Sequence, residues 1–265
     1  MLEYSDFTYL ELQKSGSTQI IKLFQEYIPD KVLSHTKHYA VRHAKPGHLY
    51  VISVRNPIEL YLSLYKYGLD QRGNFHRFMK TEGCGHYYSG DYDGFRDWMF
   101  KIYEKPSAGS GVQLEGYSNE YLEKFNLGLF SYRLYKLSTN RFRRVLKNSG
   151  DLSDLKSQAE DNRLVNFVIR NEYLEIDFVR FLEVVSSPVF SNPVELSKPV
   201  HEIRSEITQY GRMNKSLSGI SGIEELKNDT ELLHHVRNNE WFFNEFGYQD
   251  GFLARQGQAD LAIPE

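Results

Sequence analysis

A single cysteine, Cys84, stands in the 265 residues, which excludes an intrachain disulfide and a cysteine-built zinc site and makes a reducing compartment the simplest setting. No apolar run is long enough to cross a membrane, and the opening Met-Leu-Glu-Tyr-Ser-Asp carries neither a charged leader nor an apolar core. The expectation is a soluble, cytoplasmic chain, in which the sequons at Asn214 and Asn228 arise by chance. An excess of basic charge is also missing. With 32 Lys and Arg against 35 Asp and Glu the net charge is −3, so there is no global surface for nucleic acid and any anion site has to be local. Internal repeats are absent too. The 40% hydrophobic and 25% charged residues that remain suit one large domain, residues 1–265, with a substantial core. Among the 19 Tyr and 17 Phe, most rings belong to core and rim packing, and a tyrosine-rich surface for stacking sugars is the alternative.

The stretch from Phe7 to Tyr27 organises the rest. It reads as an alternating strand, the small-residue loop Lys14-Ser15-Gly16-Ser17-Thr18, and an amphipathic helix from Gln19. Such a loop is an anion cradle: small residues let backbone N–H groups point inward, the helix N-terminus adds a partial positive charge, and Lys14 adds a full one. An ordinary strand-turn-helix with a surface lysine is the competing reading. The nucleoside-triphosphatase pattern places its lysine after the last glycine, whereas Lys14 precedes Gly16 and no glycine precedes Lys14.

A second strand is expected at Leu49–Val54, a continuous apolar run ending at Arg55. Asn56 caps and Pro57 starts the next helix, which is expected to stop at Gly68. Arg55 therefore lies at the carboxyl end of a strand, where open α/β sheets bind ligands. Further on, helices are expected over 92–104, 120–135 and 139–148, a strand over 164–169, a helix ending near Val185, an extended crossing marked by Pro188, Pro193 and Pro199, and a helix over 231–246 capped by Thr230. The fold class that follows is α/β: a P-loop-like central parallel sheet flanked by helices, with a helical and loop insertion at about 69–150 and a C-terminal extension. Arg141, Arg143, Arg144 and Lys147 read as a solvated helix face, with a site for an acidic saccharide as the alternative. His35, His38, His43 and His48 crowd one span, but their spacing makes no metal site, and Cys84 with His86 is a poor ligand pair.

The order Lys14-Ser15-Gly16-Ser17-Thr18 after a first strand resembles the 5′-phosphosulfate loop of sulfotransferases that use 3′-phosphoadenosine 5′-phosphosulfate (PAPS). Gln13, Ser17 and Gln19 depart from the usual Pro-Lys-Ser/Thr-Gly-Thr-Thr-Trp, which places the chain nearer the carbohydrate-type, bacterial and Golgi-like branch. Golgi members carry a membrane anchor. Arg55-Asn56-Pro57 followed by Ser63 is similar to the family's 3′-phosphate segment. The two motifs together, in order and each at a strand end, are more specific than either alone. The run Leu127–Tyr135 resembles a segment of bacterial saccharide-directed members, and Arg170 and Glu172 match a later core strand where such residues are architectural.

The resemblance implies that Lys14, Ser15, Gly16, Ser17 and Thr18 hold the 5′-phosphosulfate, that Arg55 and Ser63 hold the 3′-phosphate, and that Lys215 and Ser216 sit in a cofactor-covering loop. It implies PAPS as donor, 3′,5′-adenosine bisphosphate as product, no metal, and a saccharide or glycoconjugate hydroxyl as acceptor. Lys14 would stabilise the leaving phosphate. The family often takes the acceptor proton with a histidine between the two segments, and Lys37-His38 matches that place, with His35 second. Two other classes compete: a nucleotide-dependent kinase and a non-catalytic saccharide-binding protein on the same fold.

Overall fold

The computed structural model describes residues 1–104, 120–188, 192–208 and 219–247. Strands β1 (Leu2–Glu3), β2 (Phe7–Leu10), β3 (Ser34–His35), β4 (Leu49–Val54) and β5 (Phe167–Arg170) form one sheet in the order β3-β1-β2-β4-β5. The core trio β2, β4 and β5 is parallel, with Tyr9 opposite Val51 and Ile52 opposite Val168. β1 pairs antiparallel with β2 and β3, so the sheet is mixed where an all-parallel one was expected. The helices are α1 (Ser17–Tyr27), α2 (Pro57–Leu69), α3 (Asn74–Thr81), α4 (Tyr92–Tyr103), α5 (Glu120–Lys124), α6 (Leu129–Ser138), α7 (Phe142–Asn148), α8 (Leu152–Asp161), α9 (Leu174–Val185), α10 (Val200–Ile207) and α11 (Thr230–Asn239).

Side chains alternate across β4 and divide the core in two. Leu49 and Val51 join Phe7, Tyr9, Phe24, Phe178 and Phe181 on the side of α1 and α9. Tyr50, Ile52 and Val54 join Tyr61, Tyr65, Trp98 and Phe130 on the side of α2, α4 and α6. Because helices cover both faces, β2 is buried throughout, and the alternation expected there does not mark a wet face. Thr8, the polar member, is buried with its hydroxyl 2.7 Å from His48 Nε2.

Local chemistry explains most boundaries. Asn56 accepts from the Ile58 N–H and Pro57 opens α2 at N1, as the sequence predicts. Gly68, expected to end that helix, lies inside it: a Cβ there would stand 2.2 Å from the Tyr88 ring, so this glycine serves a close approach. The helix expected over 120–135 breaks between α5 and α6, where Asn126 adopts φ 49° and Gly128 packs against the Glu240 carboxylate. The cap of α11 is Asp229, which accepts from the Leu232 N–H, and that helix ends at Asn239. α8 is an element the sequence reading did not anticipate.

Candidate functional site

All three parallel strands end at one edge of the sheet, and the segments leaving them meet there. After β2 comes the loop Lys14–Gly16. Lys14 lies at φ 70° and Gly16 at φ 83°, while Ser15 between them has a negative φ. This alternation of hands is the kind that turns successive N–H groups toward one side. Among the described residues no side chain caps α1 and no acid sits in its first turn, so the N–H groups of Ser17 and Thr18 remain available at its positive end.

Ser15 behaves differently from the expectation. Its hydroxyl is fully buried, donates to the Leu12 carbonyl at 2.8 Å, and lies 2.6 Å from Ser53 Oγ, which is 2.6 Å from the Tyr9 hydroxyl. That side chain anchors the loop to the sheet, and only its N–H can face an anion. Gly16 is required by φ and by space, because a Cβ there would press on Asn171, just past β5. The next residue, Glu172, accepts the Asn56 N–H at 2.6 Å, so one short turn braces both the loop and the Arg55 segment. Arg170 is architectural: its guanidinium pairs with the buried Asp177 at 2.8 Å.

Lys14 is a half-buried lysine among cations. Burial, and then the guanidiniums of Arg72 and Arg55, push its ammonium down to about 8, with Asp70 opposing. Nζ lies 4.1 Å from the centre of the Tyr67 ring, and the Arg72 guanidinium lies 4.7 Å from the same ring. Arg55 pairs with Glu59 at 2.7 Å. Glu59, Ser63 and Tyr67 follow one another at intervals of four, so they line one face of α2. Arg55 meets that face at one end, Lys14 and Arg72 meet it at the other, and Ser63 lies between. The helix rise puts the two ends about 12 Å apart, and the Arg55 charge is still close enough to the Lys14 ammonium to lower its pKa. Lys14 and Arg55 thus lie within electrostatic reach of one another and Ser63 is on the α2 face between Glu59 and Tyr67, while Lys215 and Ser216 lie outside the described residues.

A recess with room for about one water is lined by Glu11, Leu12, Gln13, His38, Arg133, Lys136 and Leu137. His38 adopts φ 55° and its Nδ1 lies 3.1 Å from the Glu11 carbonyl. A carbonyl only accepts, so Nδ1 carries the proton and Nε2 of the neutral ring keeps its lone pair. His35 is placed otherwise. It is exposed, and its Nε2 lies 2.6 Å from the buried Glu11 carboxylate, which also takes the Met1 amino group at 3.0 Å. The other two histidines of the span are apart from that lining, His48 being buried against Thr8 and His43 exposed. Arg141, Arg143, Arg144 and Lys147 are exposed at or on α7.

Residues that sequence reasoning passed over include Arg72, Tyr67, Asn171, Arg133 and Lys136. Their signal is tertiary, except that Arg133 and Lys136 stand three apart on α6. Among the described residues no group of three or more His, Cys, Asp or Glu is placed to hold a metal ion, and no helix is long and apolar enough to cross a membrane. Comparison with family models, with curated proteins and with solved structures finds no match.

Proposed function

We propose that the chain is a sulfotransferase that moves a sulfuryl group from PAPS to an acceptor hydroxyl, with a saccharide or glycoconjugate as the acceptor. The observation that carries this reading is the convergence of Lys14, Arg55 and Arg72 beside an uncapped helix N-terminus. Two guanidiniums beside the half-buried Lys14 depress its ammonium although Asp70 lies near it and Glu59 pairs with Arg55, and a bound anion would favour the charged form. A ligand with phosphates at two ends answers both ends of the α2 face. The donor supplies an activated sulfuryl group on its 5′-phosphate. The N–H groups of Ser15 to Thr18 and the Lys14 ammonium bind that end, and Arg55 and Ser63 bind the 3′-phosphate.

Transfer of this kind has a loose transition state, so positioning and charge stabilisation carry most of the rate. Lys14 meets the charge that grows on the oxygen bridging sulfur and phosphorus. A new sulfur–oxygen bond forms to the acceptor hydroxyl, the bond to the 5′-phosphate oxygen breaks, and the hydroxyl proton passes to His38 Nε2. The products are a sulfate ester and 3′,5′-adenosine bisphosphate. This scheme gives the strained His38 a purpose, since left-handed backbone at a non-glycine residue persists where surrounding structure holds it.

A nucleotide-dependent kinase and a saccharide-binding protein remain the other two classes, and one titration separates the three. Thermal unfolding is followed with 3′,5′-adenosine bisphosphate and with ATP plus magnesium, because a ligand that binds only the folded state raises Tm. The proposal expects a rise with the bisphosphate that exceeds the rise with ATP. Preference for ATP would point to the kinase, and indifference to both nucleotides to the binding protein.

A further inference from the structure

Helix α2 ends in a cap that sets one more cation beside Lys14. The Gln71 N–H donates to the Gly68 carbonyl at 2.8 Å and the Arg72 N–H to the Tyr67 carbonyl at 3.0 Å, the two backbone bonds that close a helix when the residue past its end turns left-handed. Gln71 is that residue, at φ 56°, a conformation usually left to glycine. The closure folds the chain back, so that the Arg72 guanidinium lies 4.7 Å from the centre of the Tyr67 ring, which also carries Lys14 Nζ at 4.1 Å. Gly73, at φ 89°, lets the same ring approach closely, since a Cβ there would stand 2.8 Å from it. Arg72 is exposed and, among the described residues, makes no ion pair. It lies past the C-terminal end of α2, and Arg55 lies before the N-terminal end.

We infer that Arg72 grips the sulfuryl group of the donor and makes the site prefer the sulfated nucleotide to the spent one. The inference rests on the transfer reading above and adds to it a residue that determines specificity. In that reading Arg55 takes the 3′-phosphate and Lys14 the oxygen bridging phosphorus and sulfur. The group beyond the bridge, away from the 3′-phosphate, is the sulfuryl group, and Arg72 is the cation at that end. A guanidinium presents a planar fork of N–H donors that fits two oxygens of one such group. Once the group has passed to the acceptor, the bisphosphate left behind lacks this contact and is held less tightly than the donor.

The test compares Kd values of the full chain for PAPS, with no acceptor present, and for 3′,5′-adenosine bisphosphate, two ligands that differ only by the sulfuryl group. It is run at a pH well below the value of about 8 at which Lys14 titrates. Arg72→Ala is expected to weaken PAPS by about tenfold or more relative to the bisphosphate, the loss of one charge-assisted hydrogen bond. The cap of α2 is made of backbone bonds, so an unchanged Tm is expected in this variant. Arg72→Lys, which keeps the charge but not the fork, should shift the ratio of the two Kd values in the same direction by less, and it decides the matter if the alanine variant does not fold. A ratio equal to that of the wild type, even with both ligands weakened, overturns the role of Arg72 while the donor site stands. Binding of neither nucleotide by the wild-type chain overturns the donor reading and this inference with it.

Discussion

His38 and Lys14 are both left-handed residues that are not glycine, at φ 55° and φ 70°, and each carries one half of the proposed chemistry. Replacement of His38 has to respect that backbone. Asparagine tolerates the left-handed region better than alanine does, so His38→Asn is the variant of choice. Turnover is expected to fall by about 10²–10⁴-fold, the range for loss of a general base, with an unchanged thermal shift by 3′,5′-adenosine bisphosphate. Full turnover in His38→Asn removes it from the mechanism. Lys14 makes a pH prediction. Its ammonium is depressed to about 8, so the free protein loses that charge as pH rises through 8, and affinity for the bisphosphate should decline over the same interval. A titration of Kd against pH checks this, and Lys14→Met should flatten the profile. The effect on stability has the opposite sense: the folded chain binds fewer protons at Lys14 than the unfolded chain between about 8 and the ordinary lysine value of 10.5, so this group favours folding as pH rises across that window.

Helix α2 is the element on which the donor side depends, since one of its faces carries Glu59, Ser63 and Tyr67 toward the basic residues and the other is buried in the core. The position of its C-terminal half is set by Gly68, against which Tyr88 lies. Tyr88 in turn stacks on Tyr65 and accepts the Trp98 indole N–H at 3.1 Å. Gly68→Ala tests this packing because two effects oppose. Alanine gains about 1 kcal/mol of helix propensity, and its methyl group forces a ring aside at a cost of about 1–3 kcal/mol. With 2.2 Å available the clash prevails. Urea unfolding should show a net loss of about 1 kcal/mol, and an equal or higher stability would mean that Tyr88 can withdraw freely.

Across the whole molecule, the two sides of the core are joined by the sheet, and the helical side is tied to the chain's last described segment by Glu240. This carboxyl is fully buried, accepts from the Tyr61 hydroxyl on α2 and from the Ser131 N–H on α6, and has its pKa raised by burial against those hydrogen bonds. Between the ordinary glutamate value of 4.5 and its raised folded value, the folded chain therefore holds a proton at Glu240 that the unfolded chain has released. Its contribution to stability is complete below the ordinary glutamate value of 4.5 and is lost as pH rises through the raised folded value. Glu240→Gln, neutral at every pH, should remove that decline from the curve of unfolding free energy against pH. Glu240→Ala should lower stability by about 2 kcal/mol or more because it strands buried donors.

Sequence alone determined what is local and periodic. The apolar run Leu49–Val54 read as a strand buried on both faces, Asn56-Pro57 as the start of a helix, and the small residues after β2 as a loop able to turn its N–H groups toward an anion. Those features placed Lys14 and Arg55 at strand ends. Tertiary structure decided the remainder, because a charge, a ring or a hydroxyl has no partner until distant segments meet. It turned the Ser15 hydroxyl into the core, gathered Arg72 and Tyr67 around Lys14, set Asn171 against Gly16, and brought Arg133 and Lys136 of α6 across from His38, almost one hundred residues earlier in the chain. Capping and hydrophobic period are written within a few residues, whereas burial, pKa and the sharing of a recess depend on packing over the whole chain.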